Sequence, residues 1–221
     1  MIKSVVFDVY GTLYDVFSVV KKCESLYPEK GEQISKLWRN KQLEYTWLRT
    51  LMNRYENFWH ITKDALYYAL DSLALEYDSD KINDIMNSYL NLDPYPEVVE
   101  ALQKFRPRKL AVLTNGNMDM LDQLVVRTGL DKFLEGVLSA DTIQLFKPKP
   151  EIYQLAVDFL GISKNEILFV SSNAWDIAGA KSFGFTVGWI NRFNQPSEQL
   201  GVQADYVATN LLELAEKVEG K

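Results

Sequence analysis

Apolar and polar positions divide this chain into three unlike stretches. Ile2, Val5, Val6 and Phe7 form a short run of β-formers, the pattern of a strand covered on both faces, and the run stops at Asp8. From there to about Asp93 the apolar residues recur at steps of three and four, the helical period. Phe17, Val20 and Cys23 open the series, and Ile34, Leu37 and Trp38 follow. Leu48, Leu51, Met52, Tyr55, Phe58 and Trp59 then recur at three- and four-residue steps. Thr62 is expected to cap a further helix carrying Ala65, Leu66, Ala69, Leu70 and Leu73, and Ile82, Ile85, Met86 and Tyr89 mark another. Asp93-Pro94-Tyr95-Pro96 stops helix formation.

Beyond Pro96 strands and helices alternate. Strands are expected at 110–114, 136–139, 167–170, 186–190 and 205–207. Helices are expected around 98–105, from Met118 to a stop at Gly129, from Pro150 to Gly161, over 174–183, and from about Asn210. Ser163-x-x-Glu166 has the form of a capping box, but the strand that follows at once leaves room for a single turn. This rhythm predicts an α/β fold: a doubly wound, mostly parallel, Rossmann-like sheet with helices on both faces. A parallel crossover needs only about a dozen residues, so the long helical stretch reads as an inserted subdomain. Residues 1–13 and 94–221 then form the core and residues 14–93 a helical cap. Because the insertion leaves the core just after Asp8, it can fold over that carboxylate. Strand order does not follow from periodicity.

Composition narrows the function. Of 221 residues 47% are hydrophobic and 24% charged, ordinary for a globular chain. A net charge of −6 argues against nucleic acid or an anionic membrane as the main partner, and no stretch is long and apolar enough to span a bilayer. Cys23 is the only cysteine, so no intrachain disulfide can form, which fits a reducing, cytoplasmic setting. The chain enters its first strand at once, without a signal-peptide pattern. His60 is the only histidine, which excludes a His-rich metal site.

Ligands of open α/β sheets bind at the carboxyl ends of strands, and polar clusters collect there. Asp8-x-Tyr10-Gly11-Thr12 ends the first strand, Thr114-Asn115-Gly116 the second, and Ser171-Ser172-Asn173-Ala174-Trp175-Asp176 a later one, with Lys147-Pro148 between. In order and type these resemble the four motifs of the haloacid dehalogenase superfamily, whose common nucleophile loop reads Asp-x-Asp-x-Thr. Tyr10 stands in place of the second Asp. Phe7-Asp8-x-Tyr10-Gly11-Thr12-Leu13, Leu37-Trp38-Arg39-x-Lys41-Gln42-Leu43-Glu44-Tyr45, Lys147-Pro148 and the 171–176 string resemble more narrowly the L-2-haloacid dehalogenases.

The substitution at position 10 has chemical meaning. Superfamily phosphatases use the second Asp to protonate an alkoxide leaving group, help worth roughly 10² to 10⁴ in rate. Tyrosine is a far weaker acid, and halide needs no proton to leave. Ser172 likewise replaces a carboxylate that phosphatases use for Mg²⁺. The resemblance therefore implies Asp8 as nucleophile on C2 of an L-2-haloalkanoate, with no metal or other cofactor. It implies that Lys147 holds Asp8 ionised, that Thr12 and Thr114 position Asp8 and substrate, and that Arg39 receives the halide with help from Asn115. Asn173 and Asp176 would orient or deprotonate the hydrolytic water, with Ser171 supporting Lys147 or Asp176, and Tyr153 matches a family site residue. Tyr10, Leu43, Phe58 and Trp175 would wall the alkyl group. Read from the residues alone, Arg39 is first a solvated helix arginine, and Tyr153, Phe58 and Trp175 equally core aromatics. The resemblance further implies a homodimer. A capped, Mg²⁺-dependent phosphatase acting on a small phosphorylated metabolite is the alternative.

Overall fold

The computed structural model describes residues 1–220, the side chain of Phe17 excepted. The strands are β1 (Ser4–Phe7), β2 (Lys109–Thr114), β3 (Gly136–Ser139), β4 (Ile167–Ser171), β5 (Thr186–Ile190) and β6 (Tyr206–Ala208). The α-helices are α1 (Val19–Leu26), α2 (Gly31–Leu51), α3 (Phe58–Ser72), α4 (Ser79–Tyr89), α5 (Val98–Phe105), α6 (Met118–Thr128), α7 (Pro150–Leu160), α8 (Ala174–Phe183) and α9 (Leu211–Glu219).

Among the described residues the strands make one sheet in the order β3-β2-β1-β4-β5-β6, every neighbouring pair parallel. β1 is fully buried between β2 and β4, with Val5 in register with Leu110 on one side and Leu168 on the other. Such a strand needs apolar residues on both faces, which is why it reads as an unbroken run. Connections run outward to both sides from β1, the doubly wound arrangement expected. The order reverses between β1 and β4, and the crevice at their carboxyl ends is the usual ligand position of such sheets. Gly129 stops α6 in a left-handed conformation (φ 72°), which glycine adopts without a Cβ clash.

In the helical stretch the structure divides one run of apolar positions and corrects the cap expected at Thr62. The stripe from Leu48 to Trp59 is not one helix. α2 ends at Leu51, Asn53 takes φ 54°, and the Asn57 side chain accepts the His60 N–H at 2.9 Å to start α3. Leu48, Leu51 and Met52 are exposed, so their spacing marks no buried face. Thr62 caps nothing. It lies inside α3, where its hydroxyl donates to the Phe58 carbonyl four residues back at 2.7 Å, a local bond open to threonine within a helix. It also accepts from Gln42 Nε2 at 2.6 Å, which ties α2 to α3.

The chain passes from sheet to helices and back through two adjacent crossings. Asp15 N donates to Asp93 O at 3.0 Å, Tyr95 N donates to Leu13 O at 3.0 Å, and Tyr14 bridges Pro94 antiparallel. Away from these crossings the Tyr55 hydroxyl donates to Asp141 Oδ1, and Trp59 N donates to Asn117 Oδ1 at 3.2 Å.

Candidate active site

Asp8 follows the last residue of β1, and its N–H remains bonded to Val170 O of β4 at 2.8 Å. The strand pair thus fixes its backbone, and the side chain is 9% exposed. Both carboxylate oxygens are engaged. Oδ1 accepts from Lys147 Nζ at 2.9 Å. Oδ2 accepts from Asn173 Nδ2 at 2.8 Å, Thr12 Oγ1 at 3.1 Å and Ser171 Oγ at 3.3 Å. Donors on every side fix the direction of the carboxylate.

Lys147 is buried and bridges two acids, with Nζ also 2.9 Å from Asp176 Oδ2. Burial alone would strip its charge, but Asp176 and Asp8 outweigh that effect and hold its pKa above the usual lysine value. Its N–H donates to Asn115 Oδ1 at 2.9 Å, so the residue after β2 anchors the lysine. Asp176, in the first turn of α8, is fully buried and accepts from Tyr153 Oη at 2.7 Å. Burial pushes its pKa up to about 6, Asp8 adds to the rise, and Lys147 and Tyr153 oppose it. Burial drives the Tyr153 phenol well above its ordinary range, so it stays a donor.

Tyr10 sits deep against Phe58, ring centroids 5.6 Å apart and stacked, with Tyr89 at 6.2 Å. Its hydroxyl is buried without a hydrogen-bond partner, and burial raises its pKa further. Gly116 makes room for this ring, since a Cβ there would stand 2.7 Å from Tyr10 Cε2. Arg39 projects from α2 and donates to Gln42 Oε1 at 2.7 Å and Asn173 Oδ1 at 3.4 Å. Asn173 therefore touches Asp8 with one end of its amide and Arg39 with the other. Arg39, Leu43, Asn173 and Trp175 line a cavity of 510 Å³ beside this cluster. Trp175 meets the Trp47 ring edge-on at 5.5 Å.

Nearly all of the residues singled out from the sequence converge here, with two departures. Thr114 is buried, and its hydroxyl accepts the Gly116 N–H at 3.1 Å. Ser171 bonds Asp8 and the Asn173 N–H, rather than Lys147 or Asp176. Gln42 and Gly116 were not singled out. Gln42 is a fully buried polar side chain three residues along α2 from Arg39, and its signals are that helical spacing and its place in the 37–45 string. Ser172, noted only as a replaced carboxylate, donates through Oγ to Gly11 O at 2.6 Å and through N to Thr12 Oγ1 at 2.8 Å, bracing the nucleophile loop. Among the described residues no group of three or more His, Cys, Asp or Glu is arranged to hold a metal ion, and none of the helices is long and apolar enough to cross a membrane.

Comparison with known proteins agrees with this geometry. A family model described as haloacid dehalogenase-like hydrolase matches residues 2–184. The (S)-2-haloacid dehalogenase of Pseudomonas sp. (strain YL) is 45% identical, covering 100% of this chain and 97% of the relative. The structure of L-2-haloacid dehalogenase from Xanthobacter autotrophicus superposes with a TM-score of 0.95 at 42% identity, covering 100% of this chain and 99% of that one. A structure of the same enzyme with chloropropionic acid covalently bound gives a TM-score of 0.95 at 41% identity, with the same coverage. With the motif residues gathered at the end of β1 and full-length relatives on both counts, the chain belongs to the L-2-haloacid dehalogenase family of the haloacid dehalogenase superfamily.

Proposed function

We propose that this protein hydrolyses short L-2-haloalkanoic acids to D-2-hydroxyalkanoic acids through an ester of Asp8. The observation that carries this reading is Asp8 itself: a buried carboxylate held by Lys147 and three neutral donors, facing a tyrosine where a phosphatase needs an acid. The Asp8 oxygen attacks C2 from the side opposite the halogen, a C–O bond forms, and the C–halogen bond breaks with its electron pair leaving on the halide. Water then adds to the carboxyl carbon of Asp8, and its collapse returns the carboxylate and frees the hydroxyacid. One proton is released per turnover. Only the first step touches C2, so the configuration inverts.

Each neighbour has a part in this scheme. Lys147 keeps Asp8 ionised, Thr12 and Ser171 direct its second oxygen, and Arg39 draws off the halide, assisted by Asn115. Asn173 orients the water and Asp176 takes its proton, while Tyr153 holds Asp176 in place. Thr114 shapes the pocket, and Tyr10, Leu43, Phe58 and Trp175 enclose the alkyl group. The Tyr10 phenol, its pKa raised by burial, gives up a proton even less readily than a free tyrosine, which suits halide and not alkoxide departure. In this scheme residues 14–93 form a cap over a core of residues 1–13 and 94–221. The enzyme works in the cytoplasm as a homodimer, with exposed Leu48, Leu51 and Met52 on and after α2 offering an apolar face.

The test is halide release from L- and D-2-chloropropionate with and without EDTA. Release from the L form alone, undiminished by EDTA and yielding D-lactate, is the expected result. Absence of release, together with Mg²⁺-dependent phosphate release from a generic phosphomonoester, would replace this reading with the phosphatase one. Sedimentation velocity checks the dimer.

A further inference from the structure

Arg192 lies just past β5, outside every motif discussed so far, yet it touches the nucleophile loop. Its side chain is 11% exposed. Nη1 donates to Glu97 Oε1 at 2.6 Å, and Nη2 donates to the Thr12 carbonyl at 3.1 Å. The guanidinium carbon lies 3.6 Å from the centre of the Tyr95 ring, a stacked cation–π contact. Thr12 belongs to the nucleophile loop, just before the outgoing crossing, whereas Tyr95 and Glu97 belong to the returning one. One side chain therefore clasps both.

The Thr12 contact is the informative one. Thr12 is fully buried, so its carbonyl has no water to replace a lost donor, and an orphaned buried acceptor drives the peptide to reorient. The hydroxyl of the same residue bonds Asp8 Oδ2. A shift of the loop at Thr12 to rehydrate that carbonyl would carry the hydroxyl away from the carboxylate. The other charged groups near the clasp do not duplicate it. Asp15 is tied to the Tyr95 hydroxyl at 3.4 Å, and Arg39 faces the same 510 Å³ cavity from α2 but is bonded to Gln42 and Asn173.

We propose that Arg192 is a positioning residue for the nucleophile: held by Glu97 and Tyr95, it fixes the Thr12 carbonyl and through Thr12 the direction of the Asp8 carboxylate. The inference rests on the dehalogenase reading above. It separates from a competing role for Arg192, a second cationic station for anions in the cavity, because the two act on different kinetic constants. Misdirecting the nucleophile slows the chemical step, whereas losing an anion station weakens capture of the substrate.

The experiment compares the full-length protein with Arg192→Gln, Arg192→Lys and Glu97→Gln in steady-state halide release from L-2-chloropropionate. Each is assayed well below its melting temperature and corrected for folded fraction by near-ultraviolet circular dichroism. For Arg192→Gln the expected result is a kcat lower by roughly 10- to 100-fold with KM within about twofold of the parent. Arg192→Lys recovers part of the loss, and Glu97→Gln, which leaves the bond to Thr12 in place, loses less than either. If Arg192→Gln does not fold, the same order, parent above Glu97→Gln above Arg192→Lys in kcat, carries the test. An unchanged kcat in the folded Arg192 variants overturns the proposal, and a raised KM with kcat preserved replaces it with the anion station. A parent protein that releases no halide at all defeats the dehalogenase reading instead.

Discussion

Replacing Lys147 by methionine removes a charge and keeps the volume, so it isolates the electrostatics of the site. Lys147 Nζ lies 2.9 Å from an oxygen of Asp8 and 2.9 Å from one of Asp176. At an effective dielectric constant of about 20, each such pair is attracted by about 6 kcal/mol before desolvation is counted. Removing one partner of a buried ion pair typically costs about 3–5 kcal/mol, because the remaining charge is left uncompensated. Here two carboxylates would remain, and they repel. The pair is then expected to retain a proton well above the ordinary aspartate range.

The sign of the pH dependence follows. A carboxyl whose folded-state pKa exceeds its unfolded value of about 3.9 binds its proton more tightly when folded. The penalty is therefore small below the unfolded pKa, grows through the window between the two, and is complete above the folded pKa. Urea unfolding of Lys147→Met should show a loss of about 3–5 kcal/mol near pH 8, and a much smaller one near pH 5. In a chain of this length that corresponds to a melting temperature roughly 6–20 °C lower at the higher pH. Halide release should be abolished at both. The double variant Lys147→Met/Asp176→Asn removes one of the two opposing charges and should recover stability near pH 8. Equal stability of parent and Lys147→Met near pH 8, or a loss independent of pH, would refute the coupling among these three side chains.

Other outcomes follow from the same geometry. If Asp176 acts ionised, kcat falls as pH drops through its pKa of about 6 and stays level on the alkaline side; stopped-flow halide release would show this limb, and a flat profile from pH 5 upward would exclude Asp176 as base. Gly116→Ala forces the Tyr10 ring to move, since the new Cβ would sit 2.7 Å from Cε2. A stability loss of about 1–3 kcal/mol and a raised KM are expected, and unchanged kinetics would separate Tyr10 from the substrate pocket. Tyr55→Phe removes the phenol-to-Asp141 bond and should cost about 1–2 kcal/mol by urea titration; no measurable change would mean that water replaces the hydroxyl.

Much of the fold was legible because parallel strands advertise themselves. Ile167, Leu168, Phe169 and Val170 are buried on both faces and read as an unbroken run, Gly129 stops a helix where a residue with a Cβ would be strained, and Pro150 opens one in the first turn, where its missing N–H costs no intrahelical bond. The break between α2 and α3 was hidden, because Leu51, Met52, Tyr55 and Phe58 continue the helical step across it while the conformations of Asn53 and Asn57 leave no trace in hydrophobicity. At the site, residues at strand ends were visible because their position and their chemistry agree. The partners of Arg39 were not, since a hydrogen bond to Gln42 on one side and to Asn173 on the other depends on how α2 lies over the sheet. Arg192 escaped for the same reason: its carbonyl acceptor is backbone, and no side-chain pattern records that.

The adjacency of the two chain crossings has a consequence for how such a protein can change. Because residues 13–15 and 93–95 run side by side, bonded to each other, the helices between them leave and re-enter at what is nearly one point. A tight turn joining the two crossings would interrupt none of the sheet's strand pairings, and a different helical segment grafted there would need no rethreading. Asp8, Lys147 and Asp176 lie outside that interval, whereas Arg39, Leu43 and Phe58 lie inside it. Asp8, Lys147 and Asp176 are thus inherited on one part of the sequence and Arg39, Leu43 and Phe58 on another, and each part is free to vary while the other is kept.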